Sequence, residues 1–337
     1  MKNCNVFRLL VLAVLGASAV SLPGMPGWAK GGQKDALASY DRFTRVENLF
    51  DASGAAQLPD GRLIVVQDSR TMPISLLRLE GDRLVAEAWT GESLAGRSGG
   101  KIDLLADLEE VVVSPDGFAY ALSSHVGKEG APSRESFARF RPNGDRMDEA
   151  GVVTGLKSVI VAAHPALARA AAIQDNDTGF NIEGFAFDRN GKRALFGFRA
   201  PLVDNKALVV ALENPTALFD GNTAPQIGEV TLLDLGGDGI RGMAWLPKIN
   251  GYLIAGRMDS SAGKGPFRLW FWSGDPQAKP RAVSIDSLRS LRRPEGIAPV
   301  VINGQERILL VSDEGNRSEG KASQAALIAY DRLRIAP

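Results

Sequence analysis

Residues 181–202 read NIEGFAFDRNGKRALFGFRAPL, two apolar runs on either side of a polar DRNGK segment. Alternating apolar positions flanking an Asn-Gly turn predict an antiparallel β-hairpin. The same pattern recurs along the chain. Five heads can be aligned: ASGAAQLPDG from Ala52, LEEVVVSPDG from Leu108, IEGFAFDRNG from Ile182, IRGMAWLPKING from Ile240 and PEGIAPVVING from Pro294. Each head is followed by a second apolar strand: RLIVVQD, FAYALSSH, RALFGFR, YLIAGR and RILLVSDE.

Third strands follow in ISLLRLEGD, SFARFRPNGD, ALVVALENP, FRLWFWSGD and AALIAYDRL, and fourth strands in RLVAEAW, RMDEAGVV, QIGEVTLLDL and RAVSIDSL. A unit of about four antiparallel strands repeated along the chain predicts an all-β fold, a single β-propeller of five four-stranded blades. Six blades is the alternative if the flanks hide a degenerate unit. The fifth unit ends after its third strand, so RFTRVENL near the N-terminus is expected to supply its fourth, which also removes an exposed sheet edge. The gap between the second and third heads is longer than the others. It contains LKSVIVAAHPALARAAA, with Pro165 suited to a first helical turn, and predicts one helical insertion near residues 156–172.

The residues before the repeats have a different character. Lys2 and Arg8 precede LLVLAVLGASAVSL, an apolar run too short to span a bilayer comfortably, and small residues follow. This predicts a signal peptide over residues 1–29, with cleavage after Ala19 or Ala29, and a propeller domain over 40–337 in the periplasm or outside the cell. Cys4, the only cysteine, lies within that leader, so the mature chain has no disulfide and must rest on its core. The leader removes two of the 39 basic residues and none of the 39 acidic ones, leaving 37 against 39, a net charge of −2. That balance argues against nucleic acid as a partner, and the expected state is a monomer with no transmembrane segment after cleavage.

The second residue of each head is equivalent across the units: Ser53, Glu109, Glu183, Arg241 and Glu295. In a propeller these would form one ring around the central channel. The ends of the second strands add Asp68, His125, Arg199, Arg257 and Asp313, in looser register, at the same mouth. Converging carboxylates and guanidinium groups suit an anionic or polyhydroxylated small molecule, or a divalent cation. The expected roles are Glu183, Glu295 and His125 in catalysis; Arg199, Arg241, Arg257 and Asp68 in substrate binding; and Glu109, Glu183 and Asp313 as ligands of Ca²⁺ or another divalent cation, with no organic cofactor. The opposing reading is a ring of ion pairs that only fixes blade register.

Other motifs weigh less. GDGIRG at 237–242 matches a dinucleotide-binding spacing, but an apolar strand follows it where a helix is required. His164, beside Pro165, suits a surface or capping role, and DNDTGFNIE lacks the length and glycine placement of an EF-hand. Trp270 and Trp272 alternate in LWFWSG, a spacing that packs a strand between blades or offers an aromatic face to a sugar. The loops GESLAGRSGGK and GKEGAPSRES would carry the binding surface of a non-catalytic scaffold.

The ordered series LE(E/G), SSH, NIEG, GFRAP, GIRG and PEG resembles an uncharacterised family of exported bacterial proteins, a propeller-like domain of unknown function. The second head departs from the usual LEG by having Glu110 where glycine is typical. More distantly, the EG heads are similar to phytase-like and esterase-like propellers and to calcium-dependent lactonases. The family brings no established activity; the charged ring, with these more distant resemblances, leads to the expectation of a hydrolase acting on a phosphoester or sugar-acid ester or lactone, against a cell-envelope scaffold as the alternative. A glycosidase is a third option, which the arginines suit less well.

Overall fold

The structure is a computed structural model, describing residues 41–337 except 69–72, 81–82, 90–104, 128–133, 222, 261–262 and 289. These residues belong to the compact unit Lys34–Pro337. The predicted leader, the loop GESLAGRSGGK and most of GKEGAPSRES lie outside the described residues.

Five separate antiparallel sheets form five blades. The first is β2 (Ala52–Gln57), β3 (Leu63–Gln67), β4 (Ile74–Glu80) and β5 (Arg83–Ala88). The second is β6 (Leu108–Val113), β7 (Ala119–Ser123), β8 (Phe137–Asn143) and β9 (Arg146–Val153). The third is β10 (Asn181–Phe187), β11 (Ala194–Ala200), β12 (Ala207–Leu212) and β13 (Ile227–Leu233). The fourth is β14 (Gly239–Leu246), β15 (Gly251–Ser260), β16 (Gly263–Trp272) and β17 (Arg281–Ile285). The fifth is β18 (Pro294–Ile302), β19 (Gln305–Ser312) and β20 (Gln324–Ala329), completed by β1 (Thr44–Arg45). Thr44 pairs with Ala325 and Arg45 with Gln324, so the N-terminal strand closes the last blade as expected. The fold is therefore a five-bladed β-propeller, and the six-blade alternative falls away.

The C-terminus adds a feature absent from the repeat pattern. After β20 the chain turns into β21 (Leu333–Ile335), which pairs with β17 and gives the fourth blade a fifth strand. The last segment thus ties the fourth blade to the fifth.

Successive inner strands β2, β6, β10, β14 and β18 neighbour one another around a closed ring. Five apolar clusters fill the five junctions between blades. This follows from strand alternation, because each sheet presents apolar side chains to both neighbouring sheets. The junction of the second and third blades is the most aromatic, with Phe137 edge-on to Phe185 and Phe196 at 5.6 and 5.7 Å. The helical insertion packs there. Its helix α1 (Leu156–Ala163) buries Leu156 and Ile160 in that cluster, and Leu167 follows from a short turn begun by Pro165. His164 ends α1, with Nε2 2.9 Å from the Gly228 carbonyl oxygen.

Near the axis the inner strands approach so closely that side chains cannot fit. The third residue of the head is glycine in four blades, and a Cβ on Gly242 would lie 1.7 Å from the Glu295 carbonyl oxygen. On Gly296 it would lie 3.0 Å from the backbone nitrogen of Ala55. The second blade has Glu110 here, within β6 and not at a turn. Space for it comes from the neighbouring blade, since a Cβ on Gly54 would lie 2.4 Å from Glu110 Oε1. Glu110 is 1% exposed, and its Oε1 accepts the Val111 N–H at 3.1 Å. The N–H groups of Ala55 and Met243, from the first and fourth blades, also approach this carboxyl. Burial drives the Glu110 pKa well above the usual carboxylate range.

Gly242→Ala should destabilise the protein by about 3 kcal/mol or more, because backbone of the next blade stands where the methyl must go. Urea denaturation measures this; wild-type stability in the variant would contradict the close approach.

Candidate functional site

In every blade the pairing between the first two strands slips at the second residue of the head. The register shifts lie between Ala52 and Gly54, Leu108 and Glu110, Ile182 and Gly184, Ile240 and Gly242, and Pro294 and Gly296. Ser53, Glu109, Glu183, Arg241 and Glu295 are therefore each the extra residue of a β-bulge. A bulge re-aims its side chain and bends its strand. All five line one cavity of about 230 Å³ at the mouth of the central channel.

The register also identifies the second tier. Residues paired with the head's first position are Gln67, Ser123, Phe198, Gly256 and Ser312. The next residues are Asp68, Ser124, Arg199, Arg257 and Asp313, and all five line the cavity. His125 is one residue too far. It has φ of 61° and is fully buried, with Nδ1 2.7 Å from the Ser123 carbonyl oxygen. Burial pushes its pKa down to about 4. His125 is not among the residues lining the cavity; Ser124 occupies the position equivalent to the other four.

In four of the five blades the residue before the head supplies a third tier that sequence reading missed. Asp51, Asp107, Asn181 and Arg293 line the cavity, and Asp51, Asp107 and Arg293 have φ between 43° and 58°. Non-glycine residues rarely adopt this left-handed backbone, which turns the chain sharply into the bulge. The hint was positional, since Asp or Asn precedes three of the five heads.

The two sides of the mouth differ electrostatically. On the third and fourth blades the arginines are paired. Arg241 Nε lies 2.9 Å from Glu183 Oε2 and donates to Glu295 Oε1 at 3.1 Å, and its Nη2 also meets Glu295. Arg199 Nη1 donates to Glu183 Oε1 at 2.8 Å, and its Nη2 pairs with Asp177. Arg257 Nε donates to Asp259 Oδ1 at 2.8 Å, and its guanidinium lies over Phe267 at 4.7 Å. Asp259 Oδ2 also lies 3.3 Å from Arg199 Nε. Asp259 comes from the long β15–β16 hairpin, which also brings Lys264 to the mouth. Burial alone would favour loss of the Arg241 proton, but Glu183 and Glu295 outweigh it and raise its pKa.

On the first, second and fifth blades carboxyl groups crowd with few cations. Among the described residues Glu109 forms no hydrogen bond or ion pair. Burial, then Glu183, Asp107 and Glu295, drive its pKa well above the usual range. Asp107 accepts from Ser124 and pairs with Arg134 at 3.2 Å, yet burial pushes it up to about 6. Asp68 is raised by burial and by Asp51, against the pull of Arg134. Asp313 pairs with Arg293 at 2.5 Å, but burial and Glu295 prevail and push it up to about 8. Among the described residues no group of three His, Cys, Asp or Glu side chains is placed to hold a metal ion. Of the expected ligands, Glu183 is engaged by two arginines and Asp313 by Arg293.

Residues 154–329 match the family model described as a protein of unknown function, DUF3616, and the match spans more than half of the chain. The chain belongs to the DUF3616 family. No curated protein matches it in sequence. Among solved structures, this DUF3616 chain is similar to a PQQ-bound aldose sugar dehydrogenase from Streptomyces coelicolor at 14% identity, covering 86% of this chain and 96% of that one with a TM-score of 0.41. It is also similar to a putative oxidoreductase (glucose dehydrogenase) from Thermus thermophilus, at 15% identity, 85% and 99% coverage and a TM-score of 0.44. A GH43 β-1,3-galactosidase gives 11% identity, 84% and 93% coverage and a TM-score of 0.48. Such distant likeness carries no functional argument; the DUF3616 site must be read from its own residues.

Two measurements probe this geometry. Glu183→Gln, which breaks contacts to two buried arginines, should cost about 3–5 kcal/mol in urea unfolding, whereas Glu109→Gln should leave stability unchanged or raised. Equal losses in both variants would contradict the two-sided arrangement. Asp107 and Asp313 titrate higher in the folded than in the unfolded chain, so their stabilising effect is full below about pH 4 and is lost as pH rises toward about 6 and about 8 respectively. The melting temperature should therefore rise as pH falls from 8 to 5, and Asp313→Asn should flatten that slope.

Proposed function

We propose that this is an exported propeller whose charged mouth binds a small anionic molecule, a phosphoester or a sugar-acid ester or lactone, and hydrolyses it by acid–base chemistry. The observation that carries this reading is the carboxyl of Glu109, unpaired among the described residues, in the same cavity as Arg199, Arg241 and Arg257. A carboxyl whose pKa is raised well above the usual range keeps its proton more readily and can donate it, and a preorganised guanidinium stabilises charge that develops in the transition state. In this scheme Arg257 and Lys264 orient the anionic group. Asp107, ionised above about pH 6, takes a proton from the attacking water. Water forms the new bond to carbon or phosphorus as the ester oxygen leaves, and Glu109 gives that oxygen its proton. Glu183 and Glu295 hold Arg241 in place. No step is assigned to His125.

Calcium or another divalent cation would have to draw on Glu109, Asp68 and Asp107, because Glu183 and Asp313 are held by arginines. The scheme is accordingly written from side chains alone.

A second reading, a non-catalytic scaffold of the cell envelope, is favoured by the internal pairing of Arg199, Arg241 and Arg257. A panel of phosphomonoesters and aldonolactones separates the two. The hydrolase reading expects turnover that falls at least a hundredfold in Glu109→Gln while the melting temperature holds. Absence of turnover and of any thermal shift with the panel would leave the scaffold. The same thermal-shift assay with calcium, magnesium, manganese and EDTA tests the cation: a metal-dependent rise that disappears in Glu109→Gln would add it to the site.

A further inference from the structure

Away from the charged mouth, the third and fourth blades part around a second cavity of about 610 Å³, within the ~300–1,000 Å³ span of small-molecule sites. Its floor is apolar, built from Leu195 and Val209 on one blade and an aromatic group on the other. Tyr252 and Trp272 stack at 5.0 Å and 26°, and both are 2% exposed. Their polar atoms are committed to backbone carbonyls, Trp272 Nε1 to Asp275 at 2.9 Å and Tyr252 Oη to Phe187 at 3.3 Å. They are therefore wall and support. Trp245 is different: it stands edge-on against Tyr252 at 5.0 Å, is only half-buried, and borders both this cleft and the apolar lower end of the central channel. Among the described residues its indole N–H has no acceptor.

The rim has the opposite character. Asn190, Thr231, Asn250 and Ser273 offer neutral hydrogen-bonding groups, and Glu229 is exposed with no ion pair among the described residues. The two arginines at the cleft are outnumbered by four carboxylates, and Arg193 is already paired with Asp188 at 3.2 Å and lies 3.8 Å from Glu213. An aromatic ring presented at a wet edge, ringed by amide, hydroxyl and carboxylate groups, matches a ligand with apolar C–H faces and many hydroxyls. The negative balance disfavours an acidic one.

We infer that the cleft between the third and fourth blades is a binding site for a saccharide without acidic groups, stacked on Trp245 and held by the rim. It is separate from the charged mouth and does not depend on the hydrolase reading.

The test is titration of the full chain with cellotetraose and chitotetraose, followed by tryptophan fluorescence, with tetragalacturonate as the acidic counterpart. A saturable change with at least one neutral tetrasaccharide is expected, weakened tenfold or more in Trp245→Ala and in Thr231→Arg and unchanged in Glu109→Gln. Thr231 lies on the last strand of its blade, so its replacement blocks the cleft even if loss of Trp245 harms folding. The proposal is overturned if neither neutral tetrasaccharide binds, if binding survives both cleft variants, or if tetragalacturonate binds as tightly as the neutral sugars.

Discussion

Five inner strands crowded around one axis leave no room for ordinary side chains, and the rest of the molecule is arranged around that constraint. Each strand meets it in the same way: an extra residue is pushed out of register, and in four of the five a glycine directly after it lets neighbouring backbones pass. The bulge and the glycine are two halves of one solution. The glycine supplies close approach, and the bulge turns the preceding side chain toward the channel mouth instead of into a junction between blades. A ring of polar and charged side chains thus arises from a packing requirement, before any chemistry is considered. Glu110 shows how firm the requirement is. The one blade without glycine keeps its carboxyl at the axis only because Gly54 next door gives up the space.

The mouth is two-sided because the tiers mix their charges unevenly. On the third and fourth blades the bulge residue and the second-tier residue are Glu with Arg, or two arginines, and Asp259 and Glu295 complete a network in which each guanidinium has a carboxylate. On the first and second blades Ser and Glu sit above Asp and Ser, and the preceding residues Asp51 and Asp107 add more acid. Crowded carboxyl groups in a partly dry cavity retain protons, since each ionisation opposes the next. The paired side gives rigidity and the crowded side gives titratable groups near neutrality, a division of labour that suits a site needing both a fixed positive wall and mobile protons.

Stability lies elsewhere, in the five apolar junctions, and the chain ends help to close them. Val46 and Leu49 enter the junction between the fifth and first blades, and Leu333 the one between the fourth and fifth. A chain without disulfides in its described part thereby locks a ring by strand pairing at both termini.

The sequence by itself determined the blades, because period-two alternation and Asp/Asn-Gly turns are local properties that repeat visibly, and it determined which residue of each head would share a ring. It also anticipated the closing N-terminal strand and the helical insertion. It did not reveal the bulges, which reflect crowding between strands far apart in the chain, and so it placed His125 where Ser124 belongs: a one-residue slip turns a side chain to the other face. Nor could it show that Glu183 and Glu295 are both claimed by Arg241 while Glu109 has no partner among the described residues. Those pairings depend on distances across the axis between residues 58 and 54 apart in sequence, and only the closed ring sets such distances.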